Sequence, residues 1–188
     1  MMIRSINIGT LLCMIFIAAI SFIIGPEQTL AASGAELDRE VDSALTTLSA
    51  KSESAKVLAE KAKAILVFPA ITKAGFIVGG QYGEGVLREN GKTVGYYNSV
   101  AASYGLQAGI QKFGYALFFM TDSAHEYIDR SDGWEIGVGP SIVVVDVGAA
   151  GSLTTTTAKS DVYAFFFSQK GLMAGIGLQG TKITRINK

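Results

Sequence analysis

From Ala35 to about Leu66, apolar residues recur every three or four positions: Leu37, Val41, Ala44, Leu45, Leu48, Ala55, Leu58, Ala62 and Ile65. That spacing lays one apolar stripe along a helix. The serines at 52 and 54 interrupt it, because serine competes for backbone hydrogen bonds. The pattern therefore predicts two helices, over 35–50 and 54–64. Pro69 closes the helical region, and the run AILVFP (64–69) reads as a first short strand.

After Pro69 the period changes to two. In AGFIVGGQYGEGVL one face carries Phe76, Val78, Gly80, Tyr82, Glu84 and Val86, and the other carries Ile77, Gly79, Gln81, Gly83, Gly85 and Leu87. The Asn-Gly pair in ENGKT (89–93) is a strong hairpin signal. Further strands are expected over 94–102, 104–120, 134–147, 161–168 and 171–184. A short helix fits TDSAHEYIDRSDG, where Ser123 and Glu126 have capping-box spacing. The expected class is α+β: N-terminal amphipathic helices followed by a glycine-rich, strongly curved antiparallel β-sheet or small barrel.

The glycines carry an alternative meaning that fails on context. GIGLQG (175–180) matches G-x-G-x-x-G, but only TKITRINK follows it. A dinucleotide loop needs a helix and an acidic residue about 20 positions on. Neither has room, so no nucleotide and no cofactor is expected. Gly175 and Gly177 share a strand face instead, as do Gly79, Gly83 and Gly85, Gly105 and Gly109, and Gly137 and Gly139. Same-face strand glycines mark bends or close backbone approach.

The N-terminal stretch adds a targeting expectation. Arg4 precedes an apolar run from Ile8 to Ile24, then a Gly25-Pro26 breaker and small residues ending at Ala31-Ala32-Ser33. This is the pattern of a cleaved signal peptide over 1–31, the rival being an uncleaved anchor. Residues 32–188 then form a single exported domain, periplasmic or secreted. The single cysteine, Cys13, lies inside the leader, so disulfides, cysteine-based zinc sites and cysteine nucleophiles are not expected beyond it. Sixteen cations balance sixteen anions, which disfavours a nucleic-acid partner.

Candidate chemistry is sparse. His125 is the only histidine, beside Glu126 and near Asp122 and Asp129, and reads as part of a solvated polar face rather than a metal site. No G-x-S-x-G elbow is present, and the strand carboxylates Glu84, Asp146 and Asp161 lack a base or nucleophile to work with. Neither catalytic nor metal-binding residues are assigned. The aromatic run VYAFFF (162–167) reads as strand core, with lipid insertion as its alternative. Lys56 and Lys63 share a helix face, Lys73 follows Pro69, and Lys170 precedes the last strand. Together these four lysines form the candidate anion-binding patch for lipid head groups.

Three blocks resemble the SYLF domain, a lipid-binding module whose eukaryotic members act in membrane trafficking and actin regulation. KAKAILVFPAITKAGFIVGGQYGEGVLR (61–88) looks like its opening signature, and SYGLQAGIQ (103–111) and SDVYAFFFSQKGLMAGIGLQG (160–180) resemble its middle and closing blocks. The resemblance implies a non-catalytic domain that binds phosphoinositides or other anionic lipids at a membrane surface, in a bacterial exported member of the family. The sequence departs from the pattern after Trp134, where VGAAGSLTTTTAKS carries only Lys159, and before the closing glycines, where the basic approach shrinks to Gln169-Lys170. Both departures lower the positive charge. The alternative is a structural envelope or secreted module with a protein partner and no specific lipid.

Overall fold

The computed structural model describes residues 32–76, 78–104, 109–130, 133–145, 160–171, 178 and 180–188. Helix α1 (Gly34–Lys51) starts at Ser33, whose hydroxyl accepts from the Glu36 N–H, and buries Leu37, Val41, Ala44 and Leu48. Ser52 closes α1, its N–H bonding to the Leu48 carbonyl, and its hydroxyl then caps α2 (Glu53–Ala59). The break expected at 52–54 is thus one serine serving two helix ends. Helix α2 stops at Ala59 rather than 64, because the Lys63 N–H is already bonded to the Phe119 carbonyl at 2.8 Å and strand pairing takes over.

Strands β1 (Ala64–Phe76), β2 (Val78–Glu89), β3 (Lys92–Tyr104) and β4 (Gly109–Phe119) follow. β1 passes through Pro69 on a bulge instead of ending there. The segment read as one strand from Ala74 to Leu87 is folded back on itself between Phe76 and Val78, which are register partners. Glycine permits this: a Cβ on Gly75 would lie 2.4 Å from the Gly79 Cα, so only a bare backbone fits. Asn90 and Gly91, both at positive φ, make the expected second hairpin.

Helix α3 (Asp122–Arg130) is capped by Thr121, whose Oγ1 accepts from the Ala124 N–H, so the cap falls two residues before Ser123. The remaining strands are β5 (Trp134–Glu135), β6 (Ile142–Val145), β7 (Val162–Gly171) and β8 (Lys182–Ile186). The single strand expected over 134–147 is two short ones, separated by a stretch with Gly137 and Gly139 at positive φ before Pro140. Gly105, Asp146, Lys159, Gly175, Gly177 and the leader over 1–31 lie outside the described residues.

The sheet runs β5-β8-β3-β2-β1-β4-β7-β6. All pairings are antiparallel except β6 with β7, which is parallel. The architecture is α+β, with the helices ahead of a strongly curled eight-stranded half-barrel. The curl can be checked by distance. Trp134 on edge strand β5 and Phe119 on β4 are five strand steps apart. A flat sheet would separate them by about 24 Å, yet their ring centroids are 5.8 Å apart. The concave face holds Leu66, Phe68, Ile71, Leu87, Tyr97, Phe113, Tyr115, Leu117 and Phe119, closed by Ala124 and Ile128 of α3. α1 packs on the opposite, convex face against β1 and β2, where Arg88 of β2 reaches Asp38 and Asp42 of α1. Residues Ser33–Lys188 form one compact unit that contains both of these packed faces.

Candidate functional site

In a paired sheet, directly opposed residues point to the same face, so register reads out which side chains share a surface. Row by row, the concave face changes character along β1. Phe68 and Ile71 sit in apolar rows, the latter opposite Phe113. Gly83 and Gly85 make room for these two side chains: a Cβ there would come within 2.5 Å of Ile71 Cδ1 and 2.6 Å of Phe68 Cδ1. The next row is Ala101–Gln81–Lys73–Gln111–Gly171, with three long polar residues abreast. All three are buried, at 7, 8 and 0 % exposure for Gln81, Lys73 and Gln111. Gln81 donates to the Thr181 hydroxyl (3.2 Å). Neither amide atom of Gln111 has a hydrogen-bond partner. In the next row Gly79, Gly75 and Gly109 stand in register, with Ser103 of β3 opposite Gly79.

The convex face beyond α1 is different. One row reads Lys170–Lys112–Thr72–Tyr82–Val100–Lys182, spanning six strands. All six residues are exposed and none is acidic, but on β5 the row ends in Glu135, also exposed, opposite Lys182. The row beyond is Ile110–Ala74–Gly80–Ala102, and the last is the partner pair Phe76 and Val78 at the hairpin end. Phe76 is 74 %, Ile110 65 % and Val78 57 % exposed, unusual values for large apolar residues. On the helix side of the lysine row, Glu84 is already engaged, with Lys188 at 2.5 Å and the Tyr82 hydroxyl at 2.9 Å.

The four lysines singled out in the sequence do not come together. Lys56 lies on α2, 3.8 Å from Glu53. Lys63 precedes β1 and pairs with Asp122 at 3.2 Å. Lys73 is ten residues further along the same strand segment, about 33 Å at strand rise, and faces the concave interior. Lys170 stands on the convex face, directly opposite Lys112. Of the four, only Lys170 joins a lysine row. Lys112 and Lys182 were missed because a lone cation in a strand says nothing until the register of distant strands sets its neighbours. Phe76, Val78 and Ile110 were missed for the same reason: alternation placed Phe76 and Val78 on one face without revealing that α1 leaves that end bare.

Other candidates resolve into structural roles. His125 is partly buried, with its side chain 19 % exposed: its ring lies 6.4 Å from that of Phe119, and Nε2 is 2.9 Å from Glu89 Oε1. No cluster of three or more His, Cys, Asp or Glu able to hold a metal occurs among the described residues. Asp161 accepts from the Ser141 hydroxyl (2.8 Å) and N–H (3.1 Å) and from Thr121, and those bonds hold its carboxyl below the ordinary value. It fastens the start of β6 to β7. Tyr115, fully buried and donating to Ser99 (2.8 Å), has its phenol pushed up by burial. The aromatic run is core, with Phe165 at 0 % and Phe167 at 6 % exposure.

Comparison with known proteins adds one finding. Residues 100–188 match the family model described as Ysc84, Las17-binding protein actin regulator. No curated protein matches the chain. The matched stretch begins in β3 and takes in β4, α3 and every later strand, including Lys112, Lys170 and Lys182. It also contains the middle and closing blocks whose motifs resemble the SYLF domain. Over residues 100–188, the chain is similar to the Ysc84, or SYLF, family.

Proposed function

We propose that this is a non-catalytic domain that binds anionic phospholipid or phosphoinositide-like head groups at a membrane surface outside the cytoplasm. The observation that carries the reading is Lys170 opposite Lys112 on one exposed face, in a row that runs on through Thr72, Tyr82 and Val100 to Lys182 and meets a carboxylate, Glu135, only at its far end. Similarity of residues 100–188 to the family supports a binding and regulatory role rather than catalysis. The location rests on the leader-like order of Arg4, the apolar run and the Gly25-Pro26 breaker. N-terminal sequencing of the protein from its producing cell tests that part: a start near Ala32 or Gly34 supports export, whereas a membrane-extracted chain retaining Met1 replaces it with an anchor.

The lipid reading is tested by co-sedimentation of the unit Ser33–Lys188 with phosphatidylcholine vesicles, with and without phosphatidylglycerol. Each lysine near an anionic surface contributes about 1 kcal/mol, so changing Lys112 and Lys170 to Gln weakens binding roughly thirtyfold. The same change at Lys56 and Lys63, which already face Glu53 and Asp122, has little effect. A larger loss from the second pair moves the site to the helices. Absence of binding to every vesicle leaves a protein partner as the better reading.

A further inference from the structure

We infer that the hairpin end of the convex face, Phe76, Val78 and Ile110, enters the acyl region of an anionic bilayer while Lys112 and Lys170 remain at head-group level. The inference rests on the lipid-binding reading and deepens it by naming an insertion element and its depth. Phe76 stands two rows beyond the lysines, four residues along β1 from Thr72, which is about 13 Å at strand rise. Lysine stems can follow an apolar surface while their amines stay in water, so Lys112 and Lys170 suit the boundary between the two layers. Ile110 stands in the intermediate row with Ala74, Gly80 and Ala102, so among the described residues of this face no charged or amide side chain lies between the lysines and the tip.

The backbone at this end also meets the requirement of a low-dielectric phase. β1 and β2 are inner strands, and pairing continues to the tip: Gly75 opposes both Gly79 and Gly109, and Val78 opposes Tyr104. The N–H and C=O groups of β1 and β2 near the tip are therefore paired within the sheet, unlike those of an inserted free edge. The concave side of the same end carries Gly75, Gly79 and Gly109, with Ser103 of β3 opposite Gly79, so the described β1–β2 tip from Ala74 to Gly80 is thin and bare of polar side chains on both faces. Exposed apolar area could equally suit a second copy of the chain. Behind it Lys112 and Lys170 stand opposite each other, and the carboxylate of their row, Glu135, lies at the far end beside Lys182; this cationic end is complementary to an anionic lipid surface and repels its own image, which decides for the bilayer.

The test uses Phe76→Trp in the unit Ser33–Lys188. The native Trp134 is 1 % exposed, so vesicle-induced changes in tryptophan emission report the new indole. On phosphatidylcholine–phosphatidylglycerol vesicles, the variant's emission is expected to shift to the blue and to be quenched by bromine on the acyl chains, while wild type responds to neither. A second variant, Phe76→Ser with Val78→Ser and Ile110→Ser, changes only exposed side chains and leaves the circular dichroism spectrum intact. It retains low-salt binding but loses about tenfold or more of the binding that survives high salt, since charge attraction is screened and apolar burial is not.

Salt-sensitive binding with no quenching in Phe76→Trp, and no loss of salt-resistant binding in the triple variant, overturns the insertion while the head-group reading stands. Quenching on neutral and anionic vesicles alike supports insertion and removes the anionic preference. Absence of vesicle binding by wild type removes both readings. A dimer that the triple variant abolishes, without vesicle binding, assigns the surface to a second copy instead.

Discussion

Trp134 and Phe119 have ring centroids 5.8 Å apart although their strands stand at one edge and near the other side of an eight-stranded order. Their contact fastens β5 across the concave face, and the Trp134 indole N–H adds a bond to the Val138 carbonyl (3.0 Å). Trp134→Ala is therefore expected to cost about 3–5 kcal/mol, the range for deleting a buried large aromatic. Denaturant unfolding followed by circular dichroism measures it. A loss below about 1 kcal/mol would mean that the curl is held without this contact.

Glycines in the sheet separate into crowded and open positions. A Cβ on Gly83 would lie 2.5 Å from both the Ala70 carbonyl oxygen and Ile71 Cδ1, whereas at Gly80 the nearest atom is 3.7 Å away. Gly83→Ala should destabilise by about 1–3 kcal/mol from overpacking. Gly80→Ala should be neutral or stabilise by about 0.4–1 kcal/mol, through the unfolded chain. Equal effects at the two sites, read from melting curves, would contradict the close-approach account.

Gln111 is buried with both amide atoms unpartnered. Replacing it by methionine, similar in shape and without a polar group, is expected to stabilise the domain by about 1 kcal/mol. Gln81→Met, which removes the bond to Thr181, should not stabilise it. Destabilisation by Gln111→Met would show that the amide holds a partner in solution, and would point to the polar row as a ligand site.

Asp161 gives the sheet a dependence on acid. Its carboxyl is held below the ordinary 3.8 first by the Ser141 hydroxyl, then by the Ser141 N–H. A depressed folded value means that the stabilisation is complete above the unfolded value and is lost as pH falls through the folded one. Hydrogen exchange in Ile142–Val145 should thus be slow at neutral pH and accelerate only below about pH 4. Asp161→Asn should make it fast at neutral pH and largely remove the acid step.

Helix positions, the Asn-Gly turn and the face assignment of β2 were legible in the sequence, because each depends on residues close together in the chain. What eluded it depends on pairing between distant segments. The hairpin at Phe76–Val78 was hidden inside an unbroken alternation, since both arms present the same period and the glycines mark a bend without locating it. The split of 134–147 into two strands on opposite edges follows from where β8 and β7 lie. For the candidate site, Lys170 was visible as a cation at a strand end. Its neighbour Lys112 became meaningful only when β4 and β7 were placed side by side. Lys73 was misread as a surface residue because the curl that buries it is a property of the whole sheet.

β8 joins the meander late in the chain but near one side of the sheet, with Ile186 opposite Tyr96, and β5 pairs with β8. The β1–β2 and β2–β3 hairpins close over short loops, whereas this pairing must close one of about ninety residues, at an entropic cost that grows with loop length. Contacts of such separation slow folding, placing sheets dominated by them in the millisecond-to-second range. The order of assembly then follows from connectivity: the β1–β2–β3 hairpins first, β8 docking on β3 afterwards, and β5 with Trp134 last. Until β8 docks, the unpaired side of β3 stays open in every molecule still folding.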